Sequence, residues 1–393
     1  MRIAHLCLSC FYIDGYGYQE NELVRQHVND GHDVLVIAST ETFGTDRTLT
    51  YVSPGRYLGT DGAPVVRLPY RKLGPHALSK KLRLHPGVHR LLDDFKPDVM
   101  LFHGLCGFEL LTAARYRRAH PGVHLLVDSH EDRNNSARSF LAEYGLHRGY
   151  YGPILRASLP DIDKVLCISI ETMDFVEQMY GVPRPMLEFF PLGGVIYADD
   201  EYLERRARGR RACDLDERTT LLLQSGKMDG AKRLLESLDA FARTPGEHLR
   251  FAVVGSLAHD IEERARAAIA ADRRVSFLGW KSSEELKDLL CAADVYVQPG
   301  TQSATMQMSL CARCAVVLHD VPSHRPFFVD NGWLIADPSE LTRVFAQIRD
   351  QPERLPTLSA RSQRVAERLL DYRVLARRIT DGPTPRVDVA AGR

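Results

Sequence analysis

Short, near-continuously apolar runs alternate with amphipathic stretches along the whole chain, and the rhythm occurs twice. In the first half RIAHLCLS (2–9) predicts a buried strand, ENELVRQHVNDG (20–31) an amphipathic helix, and HDVLVIAS (32–39) the next strand. Gly31 stands where a helix-ending glycine is expected. DVMLFHG (98–104), HLLVDSH (124–130) and KVLCIS (164–169) continue the strands, separated by helical stretches such as FELLTAARYRRA (108–119). The second half repeats the pattern. TTLLLQSG (219–226), LRFAVVG (249–255), RVSFLG (274–279), DVYVQPG (294–300) and AVVLHD (315–320) predict strands. KRLLESLDAFAR (232–243), HDIEERARAAIA (259–270), SEELKDLLCAA (283–293) and a segment from about Thr305 predict the helices between them.

Buried strands alternating with helices are the pattern of a parallel, doubly wound sheet. Two such domains are therefore expected, 1–190 and 219–370, facing across a cleft, with ligands beyond the carboxyl ends of the strands. Between them, 191–218 contains EYLERRARGRRACDLDER, polar and rich in arginine, which predicts a solvated linker; nucleic-acid binding is the sharper alternative. Residues 381–393 predict a disordered tail.

Composition narrows the function. With 51 basic and 51 acidic residues the net charge is zero, so no global field draws the chain to nucleic acid. No apolar run reaches the roughly 18–20 residues that span a bilayer, and MRIAHLCLSC runs straight into a turn, as a strand does and a signal peptide does not. A cytoplasmic protein is expected, its eight cysteines reduced. Cys7-x-x-Cys10 and Cys311-x-x-Cys314 offer four thiols for zinc; the plainer reading is packing, because some 300 residues separate the pairs.

The turn after the first strand of the second half carries the clearest chemistry. In QSGKMDGAKRLL, Gly226 and Gly230 relax the backbone while Lys227 and Lys232 bring two cations to the mouth of a helix, the combination a diphosphate needs. An ordinary surface loop with lysines fits the spacing equally well. In QPGTQSATMQMSLCARCAVV, a strand ends at Gly300 and a helix begins among Thr301, Ser303, Ala304 and Thr305, any hydroxyl of which can cap it. Gln302 and Gln307 add amides suited to sugar or ribose hydroxyls. Simple capping is the alternative.

These two elements are joined by RVSFLGWKSSEELKDLLCAADVYVQPG, which resembles the nucleotide-binding domain of retaining family 4 glycosyltransferases. The resemblance extends to CFYIDGYGYQENELVRQHVNDGHDVLVIAS, FFPLGGVIYADD, DNGWLIADPSEL and the final helices, so it covers nearly the whole chain. It implies the GT-B fold, an α/β architecture of two Rossmann-like domains, with the last helix (371–380) crossing back onto the first domain. It also implies that Lys227 and Lys232 grip the donor diphosphate, Lys227 standing where the family usually has arginine. Gly15 and Gly17 match the glycine-rich loop that closes over the donor, and Gly226 and Gly255 are further donor-binding candidates. His130 falls where the family places a histidine near the donor sugar, with Glu131 and Asp132 beside it to hold its tautomer or receive the acceptor hydroxyl. His103, at the end of the preceding strand, is the second candidate.

One departure stands out. The family usually shows Glu, seven residues, then Glu. An ungapped match puts Gly300 and Met308 at those places; a one-residue shift brings Gln307 to the second, and a gap brings Gln302 near the first. Arg313 replaces the glycine that follows. The implied function is transfer of a sugar from a nucleotide-diphosphate-sugar to a hydroxyl acceptor, with retention, without metal or other cofactor. Asp161-Ile-Asp163 and Asp214-Leu-Asp216 are not placed as a D-x-D metal site. The missing acids leave a catalytically silent nucleotide-sugar-binding protein or partner subunit as an alternative, and a GT-B sugar-nucleotide 2-epimerase as another. The basic, apolar-interleaved stretch 71–90 suits an anionic membrane surface at the inner face, a phosphorylated acceptor, or plain solvation.

Overall fold

The computed structural model describes residues 1–44, 48–132, 136 and 139–381. The predicted tail therefore lies outside the described residues beyond Asp381. The chain divides into two compact units, Met1–Pro191 with the segment from Tyr372 onward, and Leu192–Asp371. Among the described residues no helix is long and apolar enough to cross a membrane.

The first unit is built on β1 (Arg2–Cys7), α1 (Gln19–Asn29), β2 (Asp33–Ser39), a small antiparallel hairpin of β3 (Glu41–Phe43) and β4 (Leu49–Tyr51), β5 (Gly55–Leu58) and β6 (Pro64–Leu68). α2 (His76–Leu82), α3 (Val88–Phe95), β7 (Val99–His103), α4 (Glu109–Ala119) and β8 (His124–Ser129) follow. After a π-helical stretch, Leu141–Tyr151, come α5 (Gly152–Ser158), β9 (Lys164–Cys167), α6 (Ile170–Tyr180) and β10 (Leu187–Phe189). The sheet order is β10-β9-β8-β7-β1-β2-β6-β5, parallel throughout except that β5 pairs antiparallel with β6. The central strands β1, β2, β7, β8 and β9 are apolar on both sides because both faces are covered, whereas the edge strand β5 is exposed. Leu6, Met100, Phe102 and Val127 join one core, and Ile3, Val99 and Leu101 another. That second face is closed by Leu23 of α1 and by Leu375, Ala376 and Ile379 of the chain's last helix. Arg378 of that helix donates to Glu188 Oε1 at 2.5 Å and to the Phe189 carbonyl at 2.7 Å.

The second unit opens with α7 (Asp199–Ala212), followed by β11 (Thr220–Met228), α8 (Leu234–Ala242), β12 (Leu249–Leu257), α9 (Glu262–Ala271) and β13 (Val275–Gly279). α10 (Ser283–Ala292), β14 (Val295–Gln298), α11 (Ala304–Cys311), β15 (Ala315–His319), β16 (Gly332–Ile335), α12 (Leu341–Asp350) and α13 (Leu355–Leu369) complete it, and α14 (Tyr372–Thr380) returns to the first unit. The order β13-β12-β11-β14-β15-β16 is fully parallel and reverses direction between β11 and β14. At such a reversal the loops after the two central strands diverge and leave a crevice for a ligand.

The expected linker is corrected by this structure. Residues 199–212 form a helix that packs along α10, and it belongs to the second unit. Three of its arginines are drawn into contacts, while Arg208 and Arg211 stay exposed. Arg205 bonds Glu201, Glu284 and Asp288 at 3.0–3.1 Å, Arg206 bonds Asp294 at 2.7 Å, and Arg210 is buried against the carbonyls of Ala292 and Thr219. Gly209 permits the close approach, since a Cβ there would lie 2.2 Å from the Asp288 carbonyl oxygen. Acids at the helix start and arginines at its end also suit its dipole.

Candidate functional site

In the second unit the two sequence-predicted elements meet at the reversal point. β11 ends through Gly226, whose φ is 138°, beside Gly255 of β12 at 123°. A Cβ on Gly255 would come 1.9 Å from the Gly226 carbonyl oxygen. Gly255 therefore lets two strands approach closely at this point. Asp229 then opens a tight turn by accepting from the Ala231 amide at 3.1 Å, and Lys232 ends it.

Lys232 ties this turn to the loop after β14. Its ammonium donates to the carbonyls of Thr301 at 2.8 Å and Gln302 at 2.9 Å. The Thr301 amide returns a bond to the Ala231 carbonyl at 3.1 Å. Gly300 makes this lacing possible, because a Cβ there would sit 2.0 Å from the Ala231 oxygen and 2.9 Å from Lys232 Cα. The glycine at the family's first acidic place thus holds a backbone contact that no larger residue fits. Half-burial pushes the Lys232 ammonium pKa down, with Asp229 opposing. Among the described residues no carboxylate lies within salt-bridge reach of Lys232 or of the exposed Lys227, so neither charge is neutralised by a direct partner. Beneath the loops is a buried neutral floor: the Tyr296 hydroxyl lies 3.1 Å from Ser225 Oγ and 3.3 Å from Gln298 Oε1, which accepts from Ser303 Oγ at 3.0 Å.

Ser303 is the cap of α11, accepting from the Met306 amide at 3.3 Å; Thr301 and Thr305 do not cap it. The first amides of α11, from Ala304 and Thr305, fall outside the helical ladder as at any helix start. Gln302 is half-buried and uses its carbonyl on Lys232. Gln307 is buried, and its side-chain oxygen has no hydrogen-bond partner among the described residues. At the far end of α11, Arg313 keeps a glycine-like φ of 64°. It is held there by Asp199 at 2.7 Å, the Tyr197 carbonyl at 3.0 Å and the Tyr202 ring at 4.3 Å.

In the first unit, Gly15 adopts φ 79° in the turn before α1, whereas Gly17 has no positive φ; its Cβ would meet only Glu22 Oε1, at 3.3 Å. His130 follows β8, its side chain one-third exposed, with Nε2 3.9 Å from Asp128 Oδ1. Asp132 is half-buried beside it. Glu131 accepts from the Tyr180 hydroxyl at 2.9 Å, and that hydroxyl also lies 2.7 Å from His147 Nδ1 and 3.1 Å from Cys106 Sγ. The three ligand atoms of Cys106, Glu131 and His147 lie within 4.8 Å of one another, but the Tyr180 hydroxyl joins them as a hydrogen-bonded cluster. Burial pushes the Cys106 thiol and the Tyr180 phenol up and the His147 imidazole down, so all three are neutral near pH 7. Arg83 donates to the carbonyls of Ser9 and Cys106, both at 2.7 Å, joining the loops after β1 and β7. Sequence reasoning missed Arg83, Cys106, His147 and Tyr180. Only Cys106, three residues past a strand end, carried any positional signal.

His103 is corrected as an acceptor-side group. It has no exposed surface, its Nδ1 lies 2.5 Å from Asp128 Oδ2, and it faces His5. Burial alone would push its imidazole down; the Asp128 carboxylate overrides this and holds it up at about 10.

Two Rossmann-like α/β units, each with its strand-end loops at the reversal of strand order, define the GT-B class of architecture. A family model described as glycosyl transferase 4-like domain matches residues 14–193, and one described as glycosyl transferases group 1 matches residues 219–350. The chain belongs to the group 1 glycosyltransferases with a family 4-like first domain. Among curated proteins none matches its sequence. Similar solved structures include HepE from Anabaena in complex with UDP, at 14% identity and TM-score 0.63, covering 97% of this chain and 99% of that one. Sucrose-phosphate synthase from Thermosynechococcus elongatus is 15% identical with TM-score 0.67, covering 97% of each chain. WaaG, a glycosyltransferase involved in lipopolysaccharide biosynthesis, is 18% identical with TM-score 0.61, covering 96% of this chain and 98% of that one. At these identities the likeness is one of fold.

Proposed function

We propose that the second unit binds a nucleotide-diphosphate-sugar through its diphosphate, and that the chain transfers the sugar to a hydroxyl acceptor with retention and without a metal. The observation that carries this is Lys232, laced to the loop before the capped start of α11, with the exposed Lys227 near the end of β11. Lys232 is fixed by two carbonyls that use two of its three protons and leave its charge unpaired. Breaking the anomeric C–O bond builds negative charge on the departing diphosphate, and only interactions that strengthen as it builds lower the barrier. Lys227, Lys232 and the α11 amides supply such interactions. Gly15 in its turn and Gly226 near the end of β11 let backbone come close to phosphate, and Gln302 and Gln307 offer amides to ribose or sugar. On the first unit, His130 with Glu131 and Asp132 beside it is the group assigned to the sugar and the incoming hydroxyl. HepE, crystallised with UDP, makes uridine nucleotides the first donors to test.

The test is a thermal-shift panel of UDP-, GDP-, ADP- and dTDP-sugars, followed by donor hydrolysis in wild type and Lys232→Ala. Stabilisation by one donor, with slow nucleoside diphosphate release that the substitution abolishes, is the expected result. Absence of binding by every donor at millimolar concentration overturns the reading. Gly300 and Met308 in place of two acids favour a second reading, a silent nucleotide-sugar-binding subunit; tight binding with no turnover would select it.

The cytoplasmic membrane face is the proposed working place, through 71–90. Leu73 and Leu78 are 44% and 46% exposed beside the exposed Arg71, Lys72 and Lys81, while Lys80 is taken by Glu41 at 2.9 Å. Salt-sensitive binding to anionic liposomes is expected, and no binding at low salt ends that part of the proposal.

A further inference from the structure

Three histidines from three elements of the first unit form one continuous hydrogen-bonded line. His103 Nδ1 meets Asp128 Oδ2 at 2.5 Å, and His103 Nε2 meets His5 Nδ1 at 3.0 Å. His5 Nε2 meets His27 Nδ1 at 2.9 Å, and His27 Nε2 meets the Ala376 carbonyl oxygen at 3.2 Å. All three rings are fully buried, and Asp128 is 2% exposed. The line thus runs from the end of β8, across β7, β1 and α1, to the chain's last helix.

A count of protons fixes its state. The line has four hydrogen bonds, each needing one proton, and its far end is a carbonyl that only accepts. Three neutral imidazoles carry three ring protons. We propose that at neutral pH this assembly holds a fourth proton, on His103 against the Asp128 carboxylate, and that the proton locks the end of β8 and the last helix into one strut. With it every bond is satisfied in one direction: His103 donates to both Asp128 and His5, His5 to His27, and His27 to Ala376. Without it the rings can satisfy only three bonds, and one link must open, because no arrangement of three protons serves four gaps between acceptors.

The surroundings agree. The Gly104 amide donates to Asp128 Oδ1 at 2.8 Å, which favours the carboxylate and so places the proton on His103. Cys7 and Glu20 also face His103 and raise its proton affinity, while burial holds His5 and His27 neutral. Asp30 and His32 act on His27 in opposite senses. Two residues after Asp128 comes His130, so the strut sets the strand end from which the proposed sugar-side group projects. The inference itself needs no donor or acceptor, and its test is separate from that of the transferase reading.

Histidine 15N NMR of the full chain, assigned by single substitutions, tests it. At neutral pH His103 is expected as an imidazolium, with His5 and His27 both neutral and protonated on Nε2. His27→Leu removes the carbonyl end of the line, so two bonds then need only two protons and the extra one is no longer required. The affinity of His103 for its proton should fall by roughly tenfold or more, one pKa unit, although residue 27 does not touch it. His27→Gln, whose amide accepts from His5 and donates to Ala376, should leave His103 an imidazolium. A substitution that merely loosened packing would not separate these two variants. A neutral His103 in the wild type, His27 protonated on Nδ1, or equal behaviour of the two variants overturns the proposal. Should His27→Leu fail to fold, the wild-type and His27→Gln spectra still decide it.

Discussion

The strand ends of the two units differ in kind. Those of the first unit gather titratable groups: Asp128, His103 and His5 below, Glu131, His147, Cys106 and Tyr180 above. Those of the second unit gather amides and hydroxyls, from Gln224, Ser225, Tyr296, Gln298 and Ser303, beneath Lys232. A floor of neutral dipoles with cations above it stabilises developing negative charge without exchanging protons. A cluster of acids and imidazoles holds and passes protons. On the proposed function the division is chemical: one unit receives a leaving diphosphate, and the other handles a hydroxyl that must lose its proton.

The comparison breaks most severely at Asp128. Asp128→Asn leaves a buried imidazolium without its counter-charge, which costs about 3–5 kcal/mol. Both tryptophans, Trp280 and Trp333, belong to the second unit. Urea unfolding should therefore show an earlier transition by circular dichroism and an unmoved one by tryptophan fluorescence. The wild type gives the same contrast by pH. The folded pKa of His103, about 10, is above its unfolded value, so its contribution is complete below pH 6.5 and is lost as pH rises through 10. His27, held down to about 4, contributes above pH 6.5 and loses that contribution as pH falls through 4. The first unit should therefore destabilise on both flanks, measured as its melting temperature against pH.

Lys232→Ala is next in size. Losing one preorganised donor raises the barrier by about 2.7–4 kcal/mol, a loss of 10²–10³ in donor turnover, with first-unit stability unchanged. Gly300→Glu sharpens the contrast from the other side. Restoring the family's acid drives a side chain into the Ala231 carbonyl and should destabilise the second unit by about 1–3 kcal/mol without raising turnover. Arg313→Gly is the mildest. Removing a left-handed arginine gains about 1–2 kcal/mol, and losing the Asp199 and Tyr202 contacts costs a similar amount. A net change within about 1 kcal/mol is expected, and an Asp199→Ala double-mutant cycle isolates the ion pair.

Ten of the strands and the helices named between them lay open in the sequence because they follow local pattern, whereas the short strands β3–β6, β10 and β16 and the direct contact of Lys232 with the loop at Thr301 did not. Nor did the helix from Asp199 to Ala212. Its arginines look solvated until α10 supplies Glu284 and Asp288, some 80 residues on. At Gly255 the close approach to Gly226 was not legible either, because a strand-end glycine has the same signature whether it admits phosphate or a neighbouring strand. His5, His27 and His103 carry no common spacing; only the sheet register, which pairs His5 with Leu101 two residues from His103, aligns them. Contacts set by topology leave no trace in a window of residues.

The last helix gives the chain an unusual order of assembly. Residues 192–371 are, topologically, an insert in a unit whose first strand begins at Arg2 and whose final helix ends at Thr380. During synthesis the first unit has to wait, with Leu23 and His27 uncovered, until the whole second unit has left the ribosome. A stop codon after residue 371 would therefore spare the later-made unit and cripple the earlier one.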